Sequence, residues 1–162
     1  MRKRNLLLLG VSILSLGFAL PTEARADHCS DPFSIYARYA REVVRVTFKG
    51  TDAMEAVVES AVPSIRRLQN AGEHARARAM AARATRAIGS LGDRTHQAIR
   101  SVVSEGVEVL INCSGHVPPD VLRELISSLQ NLGRRAAGYA ADVEDDSVDA
   151  IKRLFPQISD VP

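Results

Sequence analysis

Leu122, Leu125, Leu129, Leu132, Ala136, Ala140 and Val143 follow one another at intervals of three and four residues. That spacing places all seven on one side of an α-helix and on both sides of a strand, so this stretch folds as an amphipathic helix with one face buried. Nowhere does the chain show a convincing alternation of apolar and polar residues. The fold class predicted is therefore all-α, a compact antiparallel bundle of four to six helices linked by one disulfide. Trp is absent, and of the four Phe and three Tyr only Phe18 lies before residue 27, so the bundle must be filled by aliphatic side chains and alanine.

Local signals divide the chain. Asp31 and Pro32 form a helix start, an N-cap followed by proline at the first helical position. Apolar positions from Phe33 to Thr47 lead to Gly50, which is expected to close that helix, and Thr51 to cap the next. Pro63 either kinks this second segment or begins another. From Ser64 to about Ile88 the chain is rich in Ala and Arg; Gly89 and Gly92 mark a break, with Asp93 capping a further helix. Residues from Asn112 to Pro119 read as a loop and Asp120 opens the clearest helix. The acidic run from Asp142 to Asp149 interrupts it, and Ser147 caps a last helix that Pro156 stops.

Residues 1–26 read as a secretory signal peptide: Arg2, Lys3 and Arg4, an apolar stretch from Leu6 to Leu20, then Ala24-Arg25-Ala26 as a cleavage site. The apolar stretch is shorter than the roughly 20 residues of a membrane-spanning helix. Cleavage after Ala26 leaves residues 27–162 as one α-helical domain, secreted or periplasmic, with no stable membrane insertion. It also changes the charge. The whole chain has 21 Lys+Arg and 19 Asp+Glu, a net +2, but four of the basic groups and only Glu23 of the acidic ones precede residue 27. The remainder carries a net −1, and the global case for nucleic-acid binding falls away.

Cys29 and Cys113 are the two cysteines. In an oxidising compartment they are expected to form the disulfide. The neighbours His28 and His116 raise a zinc alternative, but adjacent His28 and Cys29 make poor joint ligands and no metal is expected. Nor does the acidic run fit a calcium loop: Ser147 and Arg153 stand where an EF-hand begun at Asp142 needs Gly and Glu. His74 and His96 are 22 residues apart, about 33 Å along one straight helix, and do not make a ligand pair.

The strongest surface signal is Arg66, Arg67, Arg76, Arg78, Arg83, Arg86, Arg94 and Arg100, opposed there only by Glu73 and Asp93. On a continuous helix Arg76, Arg83, Arg86 and Arg94 gather within about 80° of one another. This is the candidate partner-binding face, for a protein or other anionic partner, although the arginines taken alone fit better the solvated side of an amphipathic helix, paired in part with the acidic segment. No G-x-S-x-G, H-E-x-x-H, C-x-x-C-H or phosphate-binding loop occurs, so no catalytic residue is assigned and no cofactor is expected. The leading function is a non-enzymatic binding or adaptor role through the Arg face. One alternative is carriage of a small apolar ligand such as haem or lipid between helices. Another is a helical enzyme whose cleft sets Arg38, Arg45 and Lys49 against Glu55 or Glu59.

Overall fold

The computed structural model describes residues 31–155, and these form three long helices: α1 (Pro32–Asn70), α2 (His74–Asn112) and α3 (Pro119–Lys152). The segment 1–26 expected to be a signal peptide, His28, Cys29 and Pro156 lie outside the described residues. Each helix packs against the other two in an up-down-up bundle. At about 1.5 Å per residue, the 39-residue α1 and α2 each run about 58 Å.

The expected four to six helices are thus three, because four expected breaks are not breaks. Gly50 and Thr51 lie inside α1, Gly89 and Gly92 inside α2, and the run from Asp142 to Asp149 inside α3. Glycine lowers helix propensity, but here it lets two helices touch. A Cβ at Gly50 would lie 2.8 Å from Thr95 Cβ; one at Gly106 would lie 2.7 Å from both Tyr39 Cγ and Leu129 Cδ2. At Gly133 it would lie 2.6 Å from Val103 Cγ2. Close packing outweighs the roughly 1 kcal/mol that each glycine costs a helix. Pro63 is also accommodated within α1, at an exposed position.

The real ends have chemical causes. Asp31 Oδ1 accepts from the backbone N–H groups of Phe33 and Ser34 at 3.1 and 3.2 Å, with Pro32 following, as the sequence predicts. These bonds, with one from the Ser34 hydroxyl, hold the Asp31 carboxyl below its ordinary value. The turn after α1 was not predicted. Gly72 takes φ 74°, its N–H bonds Gln69 O at 2.9 Å and the Glu73 N–H bonds Leu68 O at 2.9 Å. This paired closure needs a left-handed residue, which glycine supplies without strain. The second connection, from Cys113 to Pro118, falls in the predicted loop, and Val117 turns inward to cap that end of the core.

The expected link between Cys29 and Cys113 does not lie within the described part of the bundle. No disulfide is found among the described residues; Cys29 lies outside them, and Cys113 is buried in the apolar cluster at the loop end. Among the described residues, side-chain packing holds the three helices together.

That packing has two halves. Ile35, Tyr39, Val43, Val46, Ile99, Val102, Leu110, Leu125 and Leu129 fill the end nearer the second loop. Met54, Ala61, Ile65, Ala77, Ala81, Ala84, Ile88 and Ile151 fill the other, which is alanine-rich as predicted. Between them lies a polar waist of buried Thr47, Thr51 and Thr95; Ser147, on α3, is buried as well. The threonine hydroxyls are satisfied within their own helices, Thr47 donating to Val43 O at 2.7 Å, Thr95 to Leu91 O at 2.8 Å and Thr51 to Phe48 O at 3.1 Å.

Candidate docking surface

Because α2 is unbroken from His74 to Asn112, one helical register governs Arg76, Arg83, Arg86 and Arg94. They share a sector of about 80° on the side away from Ala77, Ala84, Ile88 and Ile99, and they extend about 27 Å along the axis. All four are exposed. Arg76 is ion-paired with Glu73 one turn earlier, and Arg94 Nε donates to Ser90 O at 3.1 Å, which lays its stem along the helix. Arg83 and Arg86, between them, carry the centre of the row.

The other arginines do not join it. Arg78 lies about 140° from Arg83 and about 160° from Arg94 around α2, and Arg100 falls beyond the Arg86 edge of the row. Arg66 is on α1, where with Glu59 and Arg153 it borders an open groove of about 550 Å³ floored by Val58, Val62 and Leu154. The row is therefore a linear array of guanidinium groups on a stiff support. Each exposed pair it made would be worth about 0.2–1 kcal/mol, so only several pairs together give useful affinity.

The residues of the suggested enzyme cleft do not converge. Arg38, Arg45, Lys49, Glu55 and Glu59 are strung along α1 over about 31 Å. Arg45 is bound to Glu42, with Nε to Oε2 at 2.7 Å, and Arg38 lies over the Tyr39 ring at 5.5 Å from its centroid. His74 and His96 fall far apart on one straight helix. No group of three or more His, Cys, Asp or Glu arranged to hold a metal ion occurs among the described residues.

Two features escape a reading of the sequence. The first is the waist. His96 Nε2 donates to Ala137 O at 3.0 Å, tying α2 to α3, while the Glu144 side chain lies in the notch left by Gly92. Burial raises the Glu144 carboxyl above its ordinary value; attraction by His96 opposes this, and Asp93 and Asp145 add to it. The second is Tyr39, whose hydroxyl donates to Glu105 Oε1 at 3.0 Å from within the core. Burial, together with that carboxylate, pushes Tyr39 up to about 12. Glycines recurring on otherwise apolar helix faces are the signal that would have revealed the contacts at Gly92 and Gly106.

Comparison with protein-family models, with curated proteins and with solved structures found no match.

Proposed function

We propose that this is an exported, non-enzymatic docking protein whose α2 row, Arg76, Arg83, Arg86 and Arg94, binds an acidic protein partner. The observation that carries the reading is the exposure of four guanidinium groups in one narrow sector of one continuous helix. A straight row about 27 Å long matches several carboxylates presented along a partner's helix or strand better than it matches a small ligand. The backbone beneath the row is one continuous helix, so the ordering needed on binding falls on the arginine side chains. The export signal read at residues 1–26 supports a partner in the cell envelope or outside the cell.

The test uses polyglutamate as an acidic probe. Arg76→Glu, Arg83→Glu and Arg86→Glu together are expected to weaken binding by about tenfold or more, given the energies of exposed pairs. Unchanged binding by that variant, with its helicity intact, would overturn the reading.

A further inference from the structure

Opposite α2, in the seam between α1 and α3, Phe48 and Tyr139 meet edge to face with ring centroids 6.2 Å apart and planes at 64°. Both rings remain largely outside the core, Phe48 54% and Tyr139 46% exposed, and Val44 one turn earlier is 42% exposed. Buried between subunits, such a cluster is a typical anchor; left in water it gains little.

The charges around it have a definite order. On α1, Arg41 shares the Phe48 stripe before the ring, and Asp52 and Glu55 share it after. On α3, Arg135 precedes Tyr139 while Asp142 and Asp146 follow. All six are exposed. Since α1 and α3 run parallel, the two series reinforce each other: the seam is positive towards the helix N-termini, negative towards the C-termini, and apolar where the sign changes. Within two turns of the aromatic pair no exposed charge in the two stripes departs from that order. Arg41 and Glu55 are each seven residues from Phe48, about 10.5 Å on either side.

A surface with an apolar centre and opposite charges at equal distances on either side is complementary to itself turned by 180°. We propose that the protein forms a two-fold symmetric dimer through the α1–α3 seam, with the axis beside Phe48 and Tyr139. In this arrangement the positive half of each seam, Arg41 and Arg135, lies against the negative half of the second copy, Asp52, Glu55, Asp142 and Asp146. Such isologous contacts are the commonest in homo-oligomers. The α2 rows then face outward on opposite sides of the dimer, so the proposal stands independently of the docking role.

Sedimentation equilibrium on the purified protein over a dilution series tests it. A dimer that dissociates on dilution is expected, and Phe48→Ser should shift it to monomer. Arg41→Glu with Arg135→Glu should weaken association by about tenfold or more, as expected for losing several exposed pairs at once. Adding Glu55→Arg and Asp142→Arg to that variant should restore it. A monomer at every concentration, or a dimer indifferent to Phe48→Ser, would overturn the proposal. Failure of the fourfold variant to recover association would overturn the antiparallel charge register. All five positions are exposed, so circular dichroism should show unchanged helicity throughout.

Discussion

The Glu144 carboxylate occupies the space that a side chain at Gly92 would need. The same glycine chemistry serves two kinds of contact in this bundle, with opposite consequences for substitution. At Gly92 the obstacle is the far end of a flexible side chain that can swing towards water. At Gly106 it is the Tyr39 ring base, with its Cβ 3.0 Å from the added atom, and Leu129.

Gly106→Ala is therefore expected to destabilise by about 1–3 kcal/mol, the usual cost of overpacking a core. Gly92→Ala should stay within about 1 kcal/mol of the wild type, because the gain in helix propensity offsets the displacement of Glu144. Urea unfolding of the two variants measures both. Equal and large losses would contradict the distinction.

Glu144 makes a pH prediction. Its carboxyl is raised in the folded state, so ionisation is harder there than in the unfolded chain. The stability linked to its proton is fully present below the unfolded carboxylate range and is lost as pH rises through the raised folded value. Glu144→Gln cannot lose that proton. The variant should melt above the wild type at neutral pH, and the difference should close as the solution is acidified. A variant less stable than wild type at neutral pH would show that attraction from His96 outweighs burial.

Tyr39→Phe removes the bond to Glu105 across 66 residues of sequence, and unfolding should show a loss of about 1 kcal/mol. Because Tyr39 is raised to about 12, its contribution is present below the ordinary tyrosine value and disappears as pH passes through about 12. An ultraviolet absorbance titration should show a phenol ionising near that pH in the wild type and lacking in Tyr39→Phe.

The three-and-four spacing from Leu122 to Val143 made the helical class legible, and Asp31-Pro32 made one boundary legible, because both are local. The number of helices was not legible, because Gly50, Gly92 and the run from Asp142 owe their state to residues on other helices. Gly50 reads as a stop until Thr95 is seen against it. Gly72, the glycine that does end a helix, carries no stronger sequence signal than those that do not. For the surface, the arginine sector followed from register alone once continuity was granted. The seam at Phe48 and Tyr139 did not, since it needs two helices placed side by side.

The docking role is tested most directly by following polyglutamate binding as salt is raised from low to physiological concentration. Exposed ion pairs are screened over about 8 Å at physiological ionic strength, so affinity carried by the α2 row should fall steeply across that range. In Arg76→Glu, Arg83→Glu, Arg86→Glu protein the binding should be weak at every salt concentration. Binding that is insensitive to salt and unchanged by the three substitutions would contradict the account.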